Sequence, residues 1–245
     1  MPPIFLAAAL CIPFAAPTAL ADPGSASLPR VTERVAAHEA LRIVAFGSSS
    51  TEGVGASSPA ATYPIKLQTL LGDALPDSAV TVLNRGIGGQ DADDFHARLS
   101  AVLSDAPDLV IFQTGTNDVL RHVPLDRFEA LTRADITALR DRGIDVVLME
   151  PQFCRVFAQS PGAFDYVESI RKIGEELRVP VIRRWDLMKA WLARHEATIA
   201  ELQAGDGLHM ADRGYALLAR EARKTILGGA GVPVPAKAPF VAASR

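Results

Sequence analysis

The chain has 245 residues, 49% of them apolar and 22% charged, with a formal net charge of −3. That length suits one sizeable core, and no interior stretch has linker composition. The dispersed charge lacks the basic stripe of a nucleic-acid binder, and no His/Cys cluster has zinc-ligand spacing.

Residues 1–21 carry no charged side chain and end in Ala19-Leu20-Ala21, followed by Asp22-Pro23-Gly24-Ser25. This small-x-small ending reads as an export signal cleaved after 21, with an uncleaved anchor as the competing reading. Pro13, Pro17 and the shortness of the apolar run argue against a membrane span. We therefore expect no stable membrane insertion after cleavage, and a periplasmic or extracellular location. Cys11 lacks the small residue that directly precedes a lipidated cysteine. Cleavage would leave Cys154 alone, so no intramolecular disulfide is expected.

A lead over 22–40 includes a helix at 31–40, and the domain proper is expected over 41–227. It opens with a strand at 41–46 and a helix at 63–74, periodic through Ile65, Leu67, Leu70 and Leu71. Strand 80–84, helix 91–103, strand 109–113, helix 125–142, strand 145–150, helix 164–177 and a short strand at 179–182 follow. Helices at 187–202 and 213–227 close the domain. The Gly/Pro/Ala-rich tail over 228–245 is expected to be disordered. Strands such as Leu109-Val110-Ile111-Phe112 are unbroken apolar runs, as in sheets covered on both faces. The pattern gives an α/β fold with a doubly wound parallel sheet of about five strands, a three-layer α/β/α sandwich.

Ligands bind such sheets beyond the carboxyl ends of the strands. Three polar blocks sit there: Gly47-Ser48-Ser49-Ser50-Thr51, Asn84-Arg85-Gly86-Ile87-Gly88-Gly89 and Gly115-Thr116-Asn117-Asp118. A fourth, Asp206-Gly207-Leu208-His209, precedes the last helix. Each alone also reads blandly, as a serine-rich cap, a tight β-to-α turn, an Asn or Asp helix cap, or a surface histidine. Together they supply a serine nucleophile, oxyanion donors, and a histidine with a carboxylate three residues upstream. One turn of chain lets Asp206 reach Nδ1 of His209 and leaves Nε2 free to accept a serine proton. Arg85 reads as a structural or rim charge, and His38, His96, His122 and His195 as solvated. Cys154 reads as a small packed apolar residue. The loop over 151–162, with Phe153 and Phe157, reads as one wall of the cleft.

The four blocks, in this order, resemble the SGNH hydrolase family of GDSL-type esterases and lipases, over about 41–227. The resemblance implies a flavodoxin-like fold and no cofactor or metal. Aligned on Gly47, it makes Ser49 the nucleophile, with Ser48 where the family has Asp and Ser50 where it has an aliphatic residue. It implies Asp206 and His209 as the other catalytic residues, and the Ser49 and Gly89 N–H groups with the Asn117 side chain as the oxyanion hole. The activity implied is hydrolysis of carboxylic esters through an acyl-enzyme, on short acyl or O-acetyl groups of a small molecule or glycan. A lysophospholipase or thioesterase acting on longer chains, and a silent carbohydrate- or partner-binding module, are the alternatives. The sequence fixes no oligomeric state.

Overall fold

The computed structural model describes residues 26–233. Five strands, β1 (Leu41–Gly47), β2 (Val80–Gly86), β3 (Leu109–Gln113), β4 (Asp145–Met149) and β5 (Val181–Ile182), form one sheet. It is parallel throughout, in the order β2-β1-β3-β4-β5. Helices α1 (Pro29–Ala36), α2 (Ser49–Glu52), α3 (Tyr63–Ala74), α4 (Ala92–Ser104), α5 (Thr116–Leu120) and α6 (Leu125–Arg140) connect the first strands. Helices α7 (Arg155–Ala158), α8 (Ala163–Leu177), α9 (Arg184–Ala193), α10 (Ile199–Leu202) and α11 (Asp212–Gly229) complete the chain.

The apolar strands divide their side chains residue by residue between two cores, because successive Cβ atoms point to opposite faces. Ile43, Ala45, Leu109, Ile111, Val147 and Met149 join the helical layer of α1, α3 and α11. Val44, Phe46, Val110, Phe112, Val146 and Leu148 join that of α4, α6 and α8. On the second face Phe46, Phe95 and Phe112 pack with centroids 5.0–5.4 Å apart. The α/β/α sandwich expected from the sequence is present. No helix among the described residues is long and apolar enough to cross a membrane.

Several boundaries differ from expectation. β2 runs to Gly86, because its register with β1 continues to the Gly47–Gly86 pair. The helix expected at 187–202 is broken in two. His195 takes φ 54°, and a Thr198–Glu201 capping box starts α10. α1 begins at Pro29, a residue suited to a helix's first position. The last helix extends to Gly229, whose carbonyl accepts from Leu28 N at 2.9 Å, and Ala230 is buried. Residues 228–233 therefore belong to the packed domain, where a tail was expected. The expected export signal and the rest of that tail lie outside the described residues.

At the amino-terminal edge of the sheet, Asp145 Oδ2 accepts from Val31 N at 2.9 Å. Asp108 Oδ1 accepts from Arg30 Nε at 3.1 Å and Arg34 Nε at 2.8 Å. α1 is thus fastened to the edge opposite the polar blocks.

Candidate active site

In the order β2-β1-β3, the chain leaves β1 toward one side and returns to build β3 on the other. That reversal opens a crevice at the carboxyl ends of β1 and β3, where ligands bind in open α/β sheets. Ser49 opens α2 just beyond β1, and Asn117 lies in α5 just beyond β3.

Three consecutive serines enter the crevice and are sorted by what lies beneath them. Ser48 is 2% exposed, and its N–H and hydroxyl both donate to Gln113 Oε1, at 2.9 and 3.2 Å. Ser50 is 1% exposed, and its hydroxyl donates to Gln152 Oε1 at 3.2 Å. Only Ser49 turns outward, and its Oγ lies 3.0 Å from His209 Nε2. On the far side of that ring, His209 Nδ1 is 2.6 Å from Asp206 Oδ2. Residues 160 positions apart are thus within proton-transfer distance.

The turn before His209 is built around the Asp206 carboxylate. Its Oδ1 accepts from the N–H groups of Leu208 and His209, both at 2.9 Å. Partial burial works against this charge. The hydrogen bonds from the His209 ring and the two N–H groups outweigh it and hold Asp206 down to about 2. The carboxylate is ionised at any ordinary pH and keeps the proton of the imidazole on Nδ1.

The glycine block wraps over α2. A Cβ at Gly86 would lie 2.0 Å from Glu52 N, so this contact admits glycine alone. Gly88 N donates to Glu52 Oε2 at 2.8 Å, and a Cβ at Gly88 would lie 3.7 Å from Ser49 Cβ. Gly89 follows at φ 79°, a conformation glycine adopts freely. Asn117 Nδ2 donates to Gln90 O at 2.8 Å, joining the third block to the second and leaving its other N–H unspent. The Ser49 and Gly89 backbone N–H groups meet no acceptor among the described residues. Asp118 is fully buried and anchors this corner, accepting from Ala92 N at 2.8 Å and Gly115 N at 3.1 Å. Burial pushes its carboxyl up to about 6.

Residues 13–232 match the profile of the Non-GDSL lipase-like family. The chain belongs to that family. It is similar to an acetylxylan esterase from Geobacillus stearothermophilus, 27% identical over 189 residues that cover 71% of this chain and 85% of that one. It is also similar to an arylesterase from Vibrio mimicus, 30% identical over 148 residues, 58% of this chain and 68% of that one. Among solved structures, a two-domain esterase active on acetylated mannans superposes with a TM-score of 0.69 at 22% identity. That superposition covers 87% of this chain but only 57% of the two-domain protein, and at that identity it speaks for the fold. The resemblance to SGNH/GDSL hydrolases is upheld, and this Non-GDSL lipase-like chain is a carboxylic-ester hydrolase.

Other residues singled out in the sequence fall beside the site. Arg85 makes a two-pronged pair with Asp105, at 2.8 and 2.7 Å, and serves the rim. Cys154 is buried, which pushes its thiol up and away from reactivity. Phe157 is fully buried and lines no cleft, whereas Phe153 stays partly exposed. Both pack on Trp185, Phe153 at 5.0 Å and Phe157 at 5.5 Å. His38, His122 and His195 are exposed and occupy left-handed positions at φ 54–57°. His96 is exposed too but pairs with the buried Asp135 at 2.6 Å, a contact 39 residues apart that periodicity does not reveal. Gln113 and Gln152, which sort the serines, were missed. The available signal was a polar residue at or just past the carboxyl end of an apolar strand.

Proposed function

We propose that this protein is an exported serine esterase that removes acetyl or other short acyl groups, with O-acetylated carbohydrate as the substrate class. The observation that carries this reading is the line from Ser49 Oγ through the His209 ring to Asp206, at 3.0 and 2.6 Å. The named activities of the relatives, on acetylated xylan and acetylated mannans, support the substrate class. The apolar run before residue 22 supports export.

In this reading His209 Nε2 takes the Ser49 proton as Oγ attacks the carbonyl carbon. The oxyanion of the tetrahedral intermediate faces Ser49 N, Gly89 N and Asn117 Nδ2, donors already oriented by the loop contacts above. Collapse expels the alcohol, which receives the proton from His209, and leaves acyl-Ser49. Water, deprotonated by the same nitrogen, attacks the acyl carbon; the bond to Ser49 Oγ breaks, Oγ takes the proton back from His209, and the acid is released. Asp206 stays ionised throughout and stabilises the imidazolium.

The experiment is hydrolysis of p-nitrophenyl esters from acetate to palmitate by the purified protein beside its Ser49→Ala and His209→Ala variants. Acetate release from acetylated xylo- and manno-oligosaccharides is measured in parallel. We expect near-complete loss in both variants and the highest kcat/KM at acetate. Full activity in Ser49→Ala with loss in Ser50→Ala overturns the assignment. A maximum at palmitate overturns the short-acyl class in favour of long-chain esters or thioesters.

A further inference from the structure

One fully buried side chain outside this chemistry touches three of the four sequence blocks. Gln152 is 1% exposed and lies just past β4. Its Oε1 accepts from Arg184 Nη2 at 2.9 Å, Ser50 Oγ at 3.2 Å and Thr116 Oγ1 at 3.4 Å. Its Nε2 donates to Leu208 O at 3.1 Å. The orientation of the amide is forced, because a guanidinium only donates and a carbonyl only accepts. Ser50, Thr116 and Leu208 each adjoin a residue of the proposed machinery: Ser49, Asn117 and His209.

We propose that Gln152 is the positioning residue that sets serine and imidazole at reacting distance, with Arg184 as its anchor. The inference rests on the esterase reading above. Arg184 is fully buried, donates from Nε to Glu150 O at 2.8 Å, and reaches Met210 Sδ at 3.8 Å. The residues on either side of His209 are therefore both tied to the rim of β4, Leu208 by Gln152 and Met210 by Arg184. The second carboxylate oxygen of Glu150 accepts from Trp185 N and the first from Arg171, so among the described residues no carboxylate oxygen is hydrogen-bonded to Arg184. Its oxygen acceptors are the Glu150 carbonyl and the Gln152 amide, and the second bond holds that amide in place. A contact closed over 160 residues benefits from such a tie, since among the described residues the one hydrogen bond from the 206–209 turn to Ser49 is that of the ring itself.

Gln152→Glu tests this. The glutamate keeps an acceptor for Arg184, Ser50 and Thr116 but turns an oxygen toward the Leu208 carbonyl, which repels it and shifts the histidine turn. The same charge pairs with buried Arg184, so stability is retained. On p-nitrophenyl acetate we expect kcat to fall roughly tenfold to hundredfold, the scale of an ångström's misplacement, with KM within about twofold. Inactivation by phenylmethylsulfonyl fluoride, which reports serine activation, should slow in step while Tm holds. Gln152→Met, which removes every hydrogen bond, serves as the second variant. Both are assayed per folded molecule, with the folded fraction read by near-ultraviolet circular dichroism. Wild-type kcat per folded molecule in either variant overturns the proposal. Full activity in a parallel Ser49→Ala control overturns the esterase reading instead, a separate result.

Discussion

Gly86→Ala puts one methyl group where the glycine block crosses the helix that carries Ser49. The added Cβ would stand 2.0 Å from Glu52 N, 2.5 Å from Thr51 C and 2.6 Å from Glu52 Cα. All three are backbone atoms, so no side chain can swing aside. Reaching ordinary contact at 3.4 Å requires β2 and α2 to part by about 1.4 Å. The Gly47–Gly86 register holds β2 against β1, so α2 must give way and carry Ser49 off its 3.0 Å contact with His209. Overpacking of this kind costs about 1–3 kcal/mol. For a domain of this size that is a fall in Tm of roughly 2–12 °C, and the displaced serine should cost about 10²-fold in kcat. Urea and thermal melts with p-nitrophenyl acetate kinetics measure both. Gly72→Ala is the control. A Cβ there meets nothing within 4 Å, and α3 should gain about 0.5–1 kcal/mol. Gly86→Ala with wild-type Tm and kcat would refute the close-approach argument.

Asp206→Asn should lower kcat by roughly 10³–10⁴-fold with little change in Tm, because the side chain is half exposed and its work is on the imidazole. Asn117→Ala should cost about 2.7–4 kcal/mol of transition-state stabilisation, read as the fall in kcat/KM. Asp118→Asn addresses stability against pH. The folded-state value of Asp118 is raised by burial to about 6, above the roughly 3.9 of an unfolded chain. Its contribution is therefore whole below about pH 4 and is lost as pH climbs through 6, by an amount on the order of 3 kcal/mol. Urea melts from pH 4 to 7 should show this fall in the wild type and a flatter profile in Asp118→Asn. The same slope in both would contradict the assignment.

The sandwich was legible because its central strands are apolar on both faces, and three of the four blocks because each follows a strand at the same end. The choice among three serines came from alignment on Gly47. Its physical cause, two glutamines that hold Ser48 and Ser50 inward, spans 65 and 102 residues and leaves no local signature. Long-range packing also corrected the reading of Phe157 in the 151–162 loop. Phe157 looks available in a loop until Trp185, from α9, is seen to bury it, while Phe153 packs on the same ring and stays partly exposed. The split of α9 from α10 was readable in part, since Thr198 and Glu201 spell a capping box. It was masked by the apolar periodicity on either side.

The fastening of α1 has a practical consequence. Leu28 N reaches Gly229 O, and Val31 N reaches Asp145 at the start of β4, so the first and last helices finish together at the floor of the sheet. Strands run from there to the crevice at the roof. Both ends of the described segment, at residues 26 and 233, therefore leave from the floor and keep clear of the mouth of the crevice.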